Sequence, residues 1–201
     1  MNETREYILK TTLLLFLQKS YKEVTMKEIV EKTGLSKGAF YHYFSSKEQL
    51  FKEIVTLFFT MGNIEYQKFP QSSLKEFYQA YLAHTEQSFI QLNQLFESSS
   101  DNKLSFNFFF IMFDAMNKFP EFLEMEQAEY DQGIKAWADV INKAKQTGEI
   151  QTISSNEQIA NLFLFVTDGS FIRFLNNKNY SGSYSSYLKE AFDTIYANLK
   201  A

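Results

Sequence analysis

Apolar residues return every three or four positions along nearly the whole of this chain, and only two prolines and seven glycines interrupt them in 201 residues. That spacing is the period of a helix with one buried face, and the strict alternation of a half-buried strand is nowhere sustained. The chain therefore reads as all-α, with about nine helices. The first spans residues 4–19 and turns Ile8, Thr12, Leu15 and Phe16 inward; Leu13, Leu14 and Leu17 widen the stripe enough that cover on several sides is expected. Thr25, with Glu28 three residues on, has capping-box spacing; Gly34 closes that short helix and Ser36 caps the next. Ser45 or Ser46 opens a longer helix through Leu50, Phe51, Ile54, Val55 and Phe58. Polar joints at residues 69–73 and 98–101, the break at Pro120, Gly148 and residues 154–156 divide the rest into helices over 74–95, 106–118 and from about 121 to Gly148. A helix with Ile159, Leu162, Phe163, Val166, Gly169 and Ile172 follows, then a Ser/Gly/Tyr-rich loop at 176–186, then a last helix with Leu188, Ala191, Phe192, Ile195 and Leu199.

Composition removes several classes. There is no cysteine, so neither a disulfide framework nor a thiolate metal site is available, and a reducing, intracellular compartment is expected. Residues 1–5 are polar and the apolar runs at 13–17 and 106–113 are too short for a signal segment or a membrane span, which needs about 20 residues. The sequons at Asn2 and Asn179 read as chance matches in such a chain. His42 and His84, the two histidines, lie on separate elements, so no metal site is expected. No G-x-S-x-G, G-x-x-x-x-G-K or G-x-G-x-x-G occurs, which leaves a hydrolase, an NTPase or a dinucleotide enzyme without its usual signature; no catalytic residue and no cofactor is assigned. The acidic run Glu121, Glu124, Glu126 and Glu129 reads as a solvated helix face rather than paired catalytic carboxylates.

The net charge of −4 is unevenly spread: residues 1–52 carry nine Lys/Arg against six Asp/Glu, and residues 53–201 eleven against eighteen. An anionic partner would meet the front of the chain. There, residues 26–32 and 37–43 form two short helices about the Gly34 turn, a helix-turn-helix held by Ile29, Val30, Leu35 and Phe40. Phe40 and Phe44, four apart, face inward; Lys37, Gly38, Ala39, Tyr41, His42 and Tyr43 remain on or near the outer side. Small residues at Gly38 and Ala39 let the helix approach base edges, and Lys27, Tyr43 and Lys47 are placed to hold the phosphate backbone on either side. The competing reading is an αα corner inside a helical small-molecule-binding or scaffolding protein that does not bind DNA.

Residues 8–51, above all "GLSKGAFYHYFSSKEQL" from Gly34 to Leu50, resemble the TetR family of transcriptional regulators. The resemblance implies a three-helix DNA-binding domain at residues 1–47 and a helical bundle at 48–201 for effector binding and dimerisation. It further implies a cytoplasmic homodimer that binds double-stranded DNA at a near-palindromic operator, a repressor released by a small molecule, and no membrane. By position it carries phosphate contacts onto Thr25, Lys27 and Lys47, the recognition helix onto Ser36, Lys37, Gly38, Ala39, Tyr41 and His42, and a backbone contact onto Tyr43. Ser20, Val30 and Leu14 depart from the family pattern, which usually has glycine, alanine and a polar residue there. In the family two C-terminal helices make a four-helix dimer interface, which here would use Phe163, Val166, Ser170, Phe192, Ile195 and Leu199.

The body is rich in aromatics, the chain holding 22 Phe and 12 Tyr, and aromatics at helical spacing are core first and pocket second. Phe110, Asp114, Tyr130, Trp137 and Asp168 combine aromatic surface with isolated polar groups and are the expected lining of a pocket for an apolar or aromatic effector. If Asp114 or Asp168 is buried without a partner, an organic cation becomes the favoured ligand, because an unpaired buried charge is costly.

Overall fold

A computed structural model describes residues 3–94, 107–177 and 182–200. The joint at 98–101, the sequon residues Asn2 and 179–181, and part of the loop at 176–186 lie outside the described residues. Among those described there are nine α-helices and one 3₁₀ turn: α1 Glu3–Gln18, α2 Met26–Thr33, α3 Lys37–Tyr41, α4 Lys47–Gly62, the turn Tyr66–Lys68, α5 Leu74–Gln94, α6 Asn107–Lys118, α7 Pro120–Thr147, α8 Asn156–Asn176 and α9 Tyr184–Leu199. The all-α expectation holds, and the helix limits fall where the caps stand. Gly34 and Gly148, at φ 66° and 78°, end α2 and α7 in the left-handed region that a side chain disfavours. Pro120 is the first residue of α7, where its missing N–H costs nothing. Ser155 and Gln158 make a complete capping box at the start of α8.

The chain forms two compact units: residues 1–61 with 91–124, and residues 62–90 with 125–201. In the first, α1 is buried along Ile8, Leu9, Thr12, Leu13, Leu15, Phe16 and Leu17, the wide stripe expected of a helix packed on several sides. It meets α2 on one side and α6 on another. Phe16 stands edge-on to Phe51 of α4 at 5.1 Å, and Phe119 packs 6.0 Å from Phe51. Asn107 donates to the Leu17 carbonyl, and Lys52 of α4 pairs with Glu121 at 2.8 Å. Arg5 of α1 pairs with Glu53 of α4 and lies over the Phe44 ring.

The second unit is built around Trp137 of α7, which stacks on Phe163 of α8 at 4.5 Å and meets Phe77 and Tyr81 of α5 and Phe192 of α9 edge-on. All five rings belong to one buried cluster. Glu149 fixes the start of α5: its carboxylate accepts from the Ser73 hydroxyl and from the Leu74 and Lys75 amides at 2.9 Å each, and from the Tyr196 hydroxyl at 3.1 Å. Burial pushes that carboxyl up, but these four donors outweigh it and hold it below the usual range.

Three expected interface assignments change here. Phe163 and Phe192 are fully buried and Leu199 nearly so, all three within the core of their own unit, so they are not available to a second copy. Helix α8 carries apolar residues on more than one side, and the stacking of Phe163 on Trp137 fixes its rotation, leaving Leu162, Phe165 and Ile172 outward at 51%, 59% and 39% exposure. Val166, Ser170 and Ile195 are half-buried.

Candidate nucleic-acid interface and effector cavity

The turn between α2 and α3 is built from local signals. The Thr25 hydroxyl accepts from the Glu28 amide at 3.2 Å, and the Glu28 carboxylate accepts from Lys19. Gly34 makes the turn, and the Ser36 hydroxyl accepts from the Ala39 amide at 3.3 Å to open α3. Phe40 and Phe44 are both fully buried, as their spacing predicts, so α3 is anchored through one side and the other faces solvent. Thr25, Lys27, Ser36, Lys37, Gly38, Ala39, Tyr41 and His42 are all exposed on this surface, and Tyr43, edge-on to His42, is half-buried. Nothing lies within 4 Å of where a Cβ on Gly38 would be. A glycine inside a helix costs about 1 kcal/mol relative to alanine, and no packing within the chain requires one here.

Lys47 differs from the other residues expected on this surface. Its ammonium donates to the Tyr21 and Val24 carbonyls, at 2.7 Å each, and sits 4.3 Å from the centre of the Tyr21 ring. Partial burial, with Lys118 nearby, lowers its pKa. It ties the start of α4 to the loop joining α1 and α2, so the lysine expected to contact phosphate is also a brace within the chain.

The second unit carries a cavity of about 160 Å³ whose walls include Tyr66, Tyr81, Tyr130, Glu126, Glu129 and Asp168. Tyr130 and Asp168 are thus where a pocket lining was expected. The other three expected lining residues are elsewhere: Trp137 is sealed in the core with its indole N–H unpartnered among the described residues, and Phe110 and Asp114 lie on α6 in the first unit. Phe110 is exposed. Tyr66 and Tyr81 are nearly parallel at 6.4 Å. The Tyr130 hydroxyl donates to Asn161 at 2.5 Å, and the Tyr81 hydroxyl bonds to Thr167. Burial raises the Tyr66 hydroxyl well above its usual range and pushes Tyr81 up to about 12, so both stay protonated. Burial, then the neighbouring Glu126, pushes the carboxyls of Glu129 and Asp168 up. Asp168 is open to solvent at the rim yet has enough protein around it to lose hydration. Glu126 and Glu129, read from sequence as a solvated face, were missed because α5, α8 and the 3₁₀ turn complete the cavity, and nothing in the spacing along α7 announces them.

A buried helix-turn-helix frame that presents an exposed, lysine-bearing second helix defines a DNA-binding regulator. Residues 8–54 match the family model of bacterial regulatory proteins, tetR family. An uncharacterised HTH-type transcriptional regulator, YfiR of Bacillus subtilis, is 25% identical over 162 residues, 81% of this chain and 75% of that protein. A second from the same organism, YerO, is 50% identical over 50 residues, 25% of this chain and 17% of that protein. The ketosteroid transcriptional regulator KstR2 of Mycobacterium tuberculosis shares the fold, with a TM-score of 0.70 at 17% identity, covering 100% of this chain and 97% of that one. Residues 8–54 thus match the tetR family of bacterial regulatory proteins, the whole chain shares the fold of solved TetR-family regulators, and together these support a DNA-binding transcriptional regulator. Regulators of this family usually act as dimers and bind small-molecule effectors. Among the described residues no helix is long and apolar enough to cross a membrane.

Proposed function

We propose that this protein is a cytoplasmic, ligand-released repressor that binds a near-palindromic operator as a homodimer, with residues 1–47 as the DNA-binding part and 48–201 as the effector-binding and dimerising part. The observation that carries the reading is the second helix of the helix-turn-helix, which buries Phe40 and leaves Lys37, Gly38, Ala39, Tyr41 and His42 outward, with open space over Gly38. That space suits a base edge or a sugar-phosphate strand, and Thr25, Lys27, Ser36 and Tyr43 flank it as backbone contacts. Lys37, exposed and in no ion pair among the described residues, is the side chain best placed to reach a base. A second copy would dock on α8 through Leu162, Phe165 and Ile172, with Val166, Ser170 and Ile195 at the margin. Gly169, on the same side with open space above it, would let the partner's helix come close. The dimer would set two recognition helices about 34–36 Å apart, or somewhat more, on successive major grooves. The effector acts by favouring a different spacing, and can shift the equilibrium only by its differential affinity for the two.

The test is selection of duplexes from fragments of the source genome, followed by affinity at two salt concentrations for the wild type and for Lys37→Ala with Tyr41→Ala. Tight, salt-sensitive binding to a near-palindrome that the variant loses is the expected result. Weak binding without a preferred sequence, equal in both proteins, would overturn the reading.

A further inference from the structure

The cavity of the second unit is unbalanced in charge. Three of its walls are the carboxylates Glu126, Glu129 and Asp168; no lysine, arginine or histidine lines it, and none of the three enters an ion pair among the described residues. Each carboxylate raises the cost of ionising the others, and in a partly desolvated cleft that cost is not screened as it would be in water. The geometry points to this cleft as the receptor for a small organic cation, an alkylated ammonium whose apolar groups lie on Tyr66, Tyr81 and Tyr130 while Glu126, Glu129 and Asp168 meet its charge. The inference rests on the reading of residues 48–201 as the effector-binding part and gives the class of effector.

Four features decide the class. The first is charge: an anion would add to the repulsion and a neutral ligand would leave it, whereas a cation discharges it. The second is spread. Among the described residues no three His, Cys, Asp or Glu side chains converge closely enough to hold a metal ion, so the carboxylates surround a volume rather than a point. The third is the wall. The hydroxyls of Tyr81 and Tyr130 are engaged by Thr167 and Asn161, which leaves the rings as the surface a ligand meets, and ring faces attract ammonium groups within about 6 Å. The cavity, about 160 Å³, matches the roughly 150 Å³ that accommodates a benzene-sized guest.

The fourth is Gly133, buried in the middle of α7, where glycine costs about 1 kcal/mol of helix stability relative to alanine. A Cβ there would fall 2.9 Å from the Tyr66 hydroxyl. The glycine leaves room for the Tyr66 hydroxyl in the cavity wall, and an alanine would require that hydroxyl to shift.

The experiment is calorimetric titration of the full-length protein with propyltrimethylammonium chloride and with 3,3-dimethylbutan-1-ol, a neutral probe with the same number of heavy atoms and a tert-butyl group in place of the trimethylammonium. The cation is expected to bind at least tenfold more tightly, and the preference should vanish in a Glu126→Gln, Glu129→Gln, Asp168→Asn variant. Glu126→Gln alone, at an exposed position, should weaken the cation at least threefold and serves if the triple variant does not fold. Equal binding of the two probes, or a preference that survives the loss of all three carboxylates, overturns the cation assignment while leaving an effector site for apolar molecules. Binding of neither probe overturns it too. Cation binding that leaves affinity for the selected duplex unchanged keeps the cation site and overturns its role as effector.

Discussion

Replacing Lys47 by methionine separates bracing from DNA contact. The ammonium makes two hydrogen bonds of 2.7 Å to main-chain carbonyls and lies 4.3 Å from the Tyr21 ring centre. A hydrogen bond to a charged group contributes about 1.5–3 kcal/mol, and a partly exposed cation–ring contact about 0.5–1 kcal/mol. Methionine keeps the stem and part of the ring contact, and water can take up the freed carbonyls, so the net loss should be about 2–4 kcal/mol. For a chain of this size that lowers the melting temperature by about 4–16 °C. Below that temperature the salt dependence of DNA binding should be unchanged, because no phosphate contact is lost. Lys27→Ala provides the contrast: Lys27 is 83% exposed and only loosely paired with Glu31, so stability should hold while the log–log salt slope falls by about 0.9 per contact, or about 1.8 for a dimer. Thermal unfolding and fluorescence anisotropy at several salt concentrations read both quantities. A Lys47→Met protein that melts with the wild type and has the flatter slope would refute the bracing argument.

Glu149→Gln should destabilise the second unit by about 2 kcal/mol at neutral pH, since a neutral amide replaces a charged acceptor at a helix start. The native carboxyl titrates below its unfolded value of 4.5, so its stabilisation is present above that value and is lost as pH falls through the native one. Urea unfolding should therefore show the gap between wild type and variant closing on acidification. The carboxyl of Glu129 is raised, and the folded state is penalised while it is ionised, so stability contributed there falls as pH rises through the raised value; Glu129→Gln should melt higher than the wild type at neutral pH. Gly133→Ala sets a helix gain of about 1 kcal/mol against displacement of Tyr66, so its melting temperature should move little, while binding of the ammonium probe falls at least fivefold with DNA affinity intact. Leu162→Glu with Phe165→Glu, both exposed, should leave the fold in place and shift sedimentation from dimer to monomer, whereas Phe163→Ala, in the core, should cost about 3–5 kcal/mol.

Much of the site was legible where the signal is local. Thr25, Gly34, Ser36 and the spacing of Phe40 and Phe44 all act within four residues, and the structure has each cap, the turn and the buried pair where the sequence puts them. The bracing by Lys47 was not legible because its partners, Tyr21 and Val24, are more than twenty positions away, and an exposed-looking lysine after a cap gives no sign of them. Helix α8 was turned the wrong way because Leu162, Phe163, Phe165 and Val166 offer hydrophobic surface on more than one side, so periodicity alone does not choose which to bury. Tyr130 and Asp168 were legible as isolated polar groups among aromatics; Tyr66, Tyr81, Glu126 and Glu129 were not, since the cavity joins residues from five separate elements.

By itself the sequence determined an all-helical chain, the limits of its helices, and a helix-turn-helix whose exposed and buried sides follow from spacing. These depend on contacts a few residues apart, where backbone hydrogen bonds, caps and left-handed glycines act on the chain directly. Tertiary structure alone decided which side of α8 meets Trp137, which lysine braces and which remains free, and that three carboxylates and three tyrosines share one cleft. Those outcomes depend on packing between distant segments, where a side chain goes inward only if its neighbours leave a space of its shape, and no short stretch of sequence carries that information.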